Sequence, residues 1–212
     1  MKKNNAVIIR IELCDVKPIV WRQVRVPLDF SLAELHDVVQ IAMGWMNGHL
    51  HQFWQGDQCI GMLDEDAPDD MVDEYEVSVG EIFAKKNIKL KYEYDFGDGW
   101  EHVITSQELI HSEDNRPSIL AGKSACPPED CGGPYGYEHL REVIADPNHD
   151  EHEEMIEWLG GSFDPARFDI EEANAVLYES TDGYGATVDT EEMDLEVFSD
   201  AYDATQRPDP ER

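Results

Sequence analysis

Basic residues are scarce in this chain: 16 Lys and Arg stand against 47 Asp and Glu among 212 residues, for a formal net charge of -31. A field of this sign repels phosphate backbones, so it argues against sequence-independent nucleic-acid binding. It also disfavours anionic membrane surfaces. Solvated acidic faces that keep the protein soluble are the ordinary explanation of such a charge. Alternatively, the charge belongs to a surface that imitates nucleic acid or to one that binds cations.

Long apolar runs are missing as well. No stretch approaches the roughly 18 apolar residues of a membrane span. The first apolar run follows Lys2 and Lys3 but is interrupted by Arg10 and Glu12, so it lacks the continuous core of a secretory signal. The four cysteines are too few and too scattered for a secreted disulfide framework. These absences predict a cytoplasmic protein with no membrane association.

The hydrophobic patterns predict an α+β fold in which an antiparallel sheet packs against several helices. Apolar and polar residues alternate from Val7 to Leu13, which indicates a half-buried strand. Ser31 and Glu34 have capping-box spacing before an amphipathic helix that Gly44 ends. Further strands are predicted at 19–26, 49–54, 88–94 and 100–105, and further helices at 78–83, 137–145, 149–159 and about 170–177.

The stretch YEYDFGDGWEH, residues 92–102, predicts a β-hairpin. Gly97 and Gly99 adopt positive φ at low cost, and the short side chain of Asp98 can bond nearby backbone amides. We therefore expect Asp98 to cap the turn. The tip is also a candidate site for chemistry, because carboxylates and an imidazole that could bind Mg²⁺, Mn²⁺ or Zn²⁺ crowd it, at Asp95, Asp98, Glu101 and His102.

Histidines and acids around this hairpin are candidate metal ligands. His49 and His51 lie two apart on a predicted strand, so they would project to one face and could share an ion. A third ligand would come from His36, Asp98 or His102, and such a set suits Zn²⁺, Mg²⁺ or Mn²⁺. Without metal, His51 or His102 could serve as a general base oriented by Asp98. Purely structural roles for these histidines are the alternative.

Residues 112–136 are rich in Pro, Gly, Asp and Cys, which predicts a long irregular loop. Cys126 and Cys131 could ligate a structural zinc together with a histidine, form a disulfide, or serve as small buried anchors of a rigid loop. Glu129 and Asp130 lie between them and would be exposed or point into a cleft. These four residues are candidates for a binding loop.

The composition changes after Glu179. Nine acidic residues lie between Glu179 and Asp203, with no Lys or Arg among them. This composition predicts a flexible acidic tail over residues 179–212, which follows one α+β domain over residues 1–178.

Several separated stretches resemble one known family. They occur in the order KPIVWRQVRVP, LHDVVQIAMGWMNGHLHQF, YDFGDGWEH, CPPEDCGGPYGYEHL and WLGGSFDPARFDIEEAN. Over about residues 5–178 the chain resembles the plasmid pRiA4b ORF-3-like family, whose members are also labelled as passenger proteins of an insertion element. The resemblance implies an α+β fold and supplies no reaction.

Three functions are compatible with these observations. The first is a non-catalytic accessory module, linked to mobile elements, that binds a protein or small ligand at an aromatic and acidic cleft. The second is a metal-dependent hydrolase, such as a nuclease, built on the His/Asp candidates. The third is an acidic mimic of nucleic acid.

Overall fold

A computed structural model of the protein describes residues 2–64 and 67–181. Except for its first three residues, the predicted acidic tail lies outside the described residues. The structure therefore does not test whether the protein imitates nucleic acid. Within the described ranges, no helix is long and apolar enough to cross a membrane.

One sheet of eight strands forms the centre of the fold. The strands are β1 (Ala6–Leu13), β2 (Trp21–Pro27), β3 (His51–Gln55), β4 (Gln58–Gly61), β5 (Val72–Asp73), β6 (Lys89–Tyr94), β7 (Trp100–Ile110) and β8 (Ser118–Lys123). Their order in the sheet is β5-β4-β3-β6-β7-β1-β2-β8. All neighbours pair antiparallel except β4 and β5, which are parallel. The α+β class is confirmed, and the expected antiparallel sheet is corrected to a mixed one.

Five helices accompany the sheet in the described part of the chain. They are α1 (Leu32–Met43), α2 (Val79–Ile82), α3 (Gly133–Ala145), α4 (His152–Trp158) and α5 (Ile170–Ser180). The capping box at the start of α1 is confirmed, since the Ser31 hydroxyl accepts from the Glu34 amide while the Glu34 carboxylate accepts from the Ser31 amide. The αL residue Gly44 ends the helix with φ 88°. Apolar residues of α1 and the alternating residues of β1 and β2 share one hydrophobic core.

The hairpin of β6 and β7 is confirmed, but a different aspartate caps its turn. The Asp95 carboxylate accepts from the amides of Gly97 and Asp98 at 2.9 and 3.3 Å. Asp95 itself has φ 56°, in the left-handed region that short polar side chains tolerate. The Asp98 carboxylate instead accepts from the Gly132 amide, in the segment that follows β8. The turn thus ties the hairpin to a distant part of the chain.

Several boundaries differ from expectation. The predicted irregular loop at 112–136 contains β8, which pairs with β2, and the first residues of α3. The strand predicted at 49–54 begins at His51, so His49 precedes it. What is irregular between β8 and α3 is the segment 124–132, which we call the cysteine loop.

Candidate functional site

A cleft of about 980 Å³ opens between α1, the segment 47–52, the segment that leads into β5, and the hairpin tip. Its described lining includes four carboxylates, at Glu34, Asp37, Asp64 and Glu74, and three histidines, at His36, His49 and His51. No Lys or Arg belongs to that lining. Leu50, Met62, Tyr75 and Phe96 contribute apolar side chains that are 55%, 48%, 68% and 49% exposed. The cleft therefore combines an anionic interior with an apolar rim.

Two stacked imidazoles lie at the base of the cleft. His36 from α1 and His51 from β3 have ring centroids 3.4 Å apart and planes inclined by 7°. His51 Nε2 donates to Glu74 Oε2 at 2.7 Å, and only 3% of Glu74 is exposed. The Glu74 carboxylate thereby fixes the orientation of the His51 ring at the base of the cleft.

His36 is locked by a closed set of hydrogen bonds. Its Nε2 donates to Asn47 Oδ1 at 2.7 Å, and the Tyr92 hydroxyl lies 2.8 Å from its Nδ1. Gln40 donates to the same hydroxyl at 2.9 Å and accepts from the Asn47 amide. Burial, with the neighbouring His51 adding to it, lowers the pKa of His36 to about 3. His36 is therefore a neutral, fixed ring that supports His51.

A group of side chains that could hold a metal ion borders the cleft. His49, Asp95 and Asp130 bring their ligand atoms within 4.8 Å of one another. His49 Nε2 lies 3.2 Å from Asp130 Oδ1 and 3.7 Å from Asp95 Oδ2. We call these three residues the His49 cluster. It joins the segment before β3, the hairpin turn and the cysteine loop.

The cysteine loop is anchored beside this cluster by the sheet. Glu129 accepts from the Tyr94 hydroxyl at 2.5 Å and from the Met46 amide at 3.1 Å. Burial, and after it the Glu129 carboxylate, raises the pKa of Tyr94 well above its usual value. The Trp45 indole N–H donates to the Pro127 carbonyl at 2.9 Å. These bonds hold Asp130 near His49.

The structure does not bring together the candidate metal ligands His49, His51, Asp98 and His102. His51 pairs with Glu74 and stacks on His36, and Asp98 bonds the Gly132 amide. His102 is fully buried, with its ring 5.3 Å from that of Trp45, and burial lowers its pKa to about 3. Of these residues, His49 alone belongs to the His49 cluster. A general-base role for His102 finds no support in such a position.

Of the three roles considered for Cys126 and Cys131, their positions are compatible with small buried anchors of the cysteine loop. Cys126 is buried and Cys131 is half-buried, and both are free thiols. Burial raises the pKa of Cys126 strongly and that of Cys131 to about 12. Neither thiol belongs to the His49 cluster, the one group of possible metal ligands among the described residues.

Glu74 is the functional candidate that the sequence did not indicate. It lies in an acidic stretch, and nothing in its immediate neighbours distinguishes it from Asp73 or Glu76. Its burial depends on the parallel pairing of β4 with β5, which local patterns do not reveal.

Comparisons with known proteins agree with this fold. A sequence model described as "Plasmid pRiA4b ORF-3-like protein" matches residues 5–172. The uncharacterized protein y4hQ of Sinorhizobium fredii (strain NBRC 101917 / NGR234) is 40% identical over 172 residues, which cover 80% of this chain and 89% of the relative. The crystal structure of MM3350, a protein of unknown function from Methanosarcina mazei Go1, superposes with a TM-score of 0.73 at 31% identity. That match covers 81% of this chain and 98% of MM3350.

Proposed function

This chain belongs to the plasmid pRiA4b ORF-3-like family, and we propose that it is a non-catalytic binding module whose cleft takes a basic, partly apolar segment of a protein partner. The observation that carries the proposal is the charge of the cleft: four carboxylates line it, and its described lining holds no Lys or Arg. An ammonium or guanidinium group would gain favourable interactions there, whereas an anionic ligand would meet like charge.

The rim of the cleft favours a peptide over a small free cation. Leu50, Tyr75 and Phe96 each leave about half or more of their surface exposed around an acidic interior. Exposed apolar residues grouped about a charged depression are typical of protein-binding surfaces. A segment that alternates basic and apolar side chains would satisfy both parts of the cleft.

The chemistry of the described lining also favours binding over acyl transfer. It includes no Ser, Thr, Cys or Lys that could act as a nucleophile. His51 and Glu74 form a hydrogen-bonded pair, so a base in this cleft would have only water or the bound ligand to activate. The pair instead presents a fixed polar surface to a ligand.

A metal-dependent hydrolase is the second candidate, favoured by the His49 cluster at the edge of the cleft. It ranks second because the cleft offers an anionic substrate no positive side chain among its described residues. If it holds, the metal-loaded protein will hydrolyse a simple phosphodiester such as bis(p-nitrophenyl) phosphate. An accessory role in a mobile element is a further part of the binding proposal, supported only by the plasmid that the family description names.

Peptide binding to charge variants tests the binding proposal. We expect a fluorescein-labelled peptide of alternating Lys and Leu to bind the full chain at about 0.15 M salt, with its anisotropy as the readout. Asp37→Asn combined with Asp64→Asn should weaken binding roughly tenfold, since about 1.4 kcal/mol of attraction is lost.

The matched control removes the same charge elsewhere. Glu153 and Glu154 are exposed on α4, and changing both to Gln should leave the affinity unchanged. An equal loss in the two double variants would show attraction by net charge only and would overturn the proposal. Tyr75→Ala should also weaken binding of the Lys-Leu peptide, and an unaffected affinity would exclude a role for the apolar rim.

A further inference from the structure

We infer that His49, Asp95 and Asp130 form a binding site for a divalent transition-metal ion. The three side chains come from separate parts of the chain: the segment before β3, the turn between β6 and β7, and the cysteine loop. The hydrogen bonds of Tyr94 and Trp45 to that loop hold the three segments in place. The arrangement does not depend on one flexible side chain.

The distances suit a coordinated ion. Around a tetrahedral zinc with bonds of about 2.0–2.2 Å, neighbouring ligand atoms lie about 3.3–3.6 Å apart. His49 Nε2 lies 3.2 Å from Asp130 Oδ1 and 3.7 Å from Asp95 Oδ2. All three ligand atoms fall within 4.8 Å of one another. A small shift of the exposed Asp130 side chain would bring the three ligand atoms into that range, with water as the fourth ligand.

Charge is a second argument for an ion. Two carboxylate oxygens face a single imidazole nitrogen, and a neutral imidazole offers at most one N–H there. Asp95 is only 8% exposed, and its Oδ1 is already occupied by two backbone amides while its Oδ2 faces His49. A buried carboxylate is stabilised by hydrogen bonds and also by a compensating positive charge. A cation between the three groups supplies it.

The ligand types indicate which ions would bind. One imidazole nitrogen with two carboxylate oxygens suits Zn²⁺ and Mn²⁺ and does not suit soft ions that prefer thiolates. Zn²⁺ should bind more tightly than Mn²⁺, in keeping with the general order of divalent affinities. His49 also lines the cleft, so the ion would border the ligand-binding space. The inference does not depend on the binding of a basic segment.

Metal titration of the full chain tests the site. After treatment with EDTA, calorimetric titration with Zn²⁺ should give one equivalent bound, and Co²⁺ should give visible d–d absorption typical of nitrogen and oxygen ligands. His49→Ala and Asp130→Asn should each weaken Zn²⁺ binding at least tenfold. The Asp130 side chain is 71% exposed, so its substitution should leave the fold intact.

A second histidine–carboxylate pair provides the matched control. On the surface, Nε2 of His139 in α3 lies 2.8 Å from Oε2 of Glu151, the N-cap residue of α4. His139→Ala should therefore leave the single Zn²⁺ site unchanged. The inference is overturned if the wild-type chain binds less than one equivalent, if Asp130→Asn binds as the wild type does, or if His139→Ala abolishes the site.

Discussion

Two buried histidines set the pH response at the scale of single residues. His36 and His102 are 4% and 0% exposed, and their rings lie 5.8 and 5.2 Å from that of Tyr92. Burial lowers the pKa of each to about 3. In the unfolded chain a histidine titrates near 6.5, so the unfolded state binds more protons between these two values. The stability that each neutral ring contributes is complete above about pH 6.5 and is lost as the pH falls toward 3.

We predict that His102→Gln makes folding less sensitive to acid. Protonation of one such histidine in the unfolded state lowers the free energy of unfolding by about 2 kcal/mol between pH 7 and pH 5. Urea unfolding at both pH values should show that loss shrinking by about this amount in the variant.

His139 gives the control for this prediction, because its side chain is 53% exposed and its ring is not buried in the core. His139→Ala should keep the wild-type pH dependence. An unchanged loss in His102→Gln would mean that His102 is not held neutral.

At the scale of elements, the hairpin turn and the start of α3 depend on close approach of backbone. Gly133 has φ 68°, and a Cβ there would collide with the Asp98 carbonyl. The Asp98 carboxylate also accepts from the Gly132 amide at 3.1 Å. Glycine is therefore required where α3 meets the hairpin, since any side chain would push the two elements apart.

We predict that Gly133→Ala destabilises the protein more than Gly160→Ala. Both glycines have left-handed φ, 68° and 65°, so both variants pay the backbone cost of about 1–2 kcal/mol. Gly160 has open space around its Cβ position. The collision at Gly133 should add about 1–3 kcal/mol in urea unfolding, and equal losses would contradict the packing argument.

Local signals account for the elements that the sequence predicted. Alternation in β1 and the capping box of α1 act over a few residues, and the hairpin of β6 and β7 follows from its turn chemistry. β8 could not be found, because it lies in a stretch rich in turn formers and pairs with β2, which is about 100 residues away in the sequence. β4 has only four residues, and its apolar and polar residues do not alternate clearly.

The convergence of the His49 cluster could not be predicted from the sequence either. Its three residues are each candidates in the sequence, but the predicted strand includes His49, whereas β3 begins at His51. The actual partners of His49 are Asp95, turned by a left-handed φ, and Asp130, which the cysteine loop brings across from a distant part of the sequence. The backbone twist at Asp95 and the closure of the loop are both tertiary properties.

At the scale of the whole molecule, repulsion between like negative charges is the main electrostatic contribution to stability. A formal net charge of -31 on 212 residues means that the compact state gathers carboxylates that repel one another. Surface ion pairs such as Lys91 with Glu101 offset little of this repulsion, because exposed pairs contribute little. Screening by salt should therefore favour the folded state.

We predict that the melting temperature rises with ionic strength. Between about 0.01 M and 0.1 M salt the Debye length falls from about 30 to 10 Å, which screens most long-range repulsion. A gain of about 1 kcal/mol would raise the melting temperature by ~2–4 °C in calorimetry. NaCl and KCl should act alike, because screening depends on ionic strength; a flat or falling melting temperature would contradict the expectation.

The position of Trp45 gives the protein a built-in optical reporter. Its ring lies 5.0 Å from that of Tyr94 and meets His102 edge-on, while its N–H donates to the Pro127 carbonyl of the cysteine loop. Any event that lifts this loop from the hairpin changes the surroundings of this indole. Its fluorescence, isolated by subtracting the emission of a Trp45→Phe variant, would follow such a movement in real time without an attached dye.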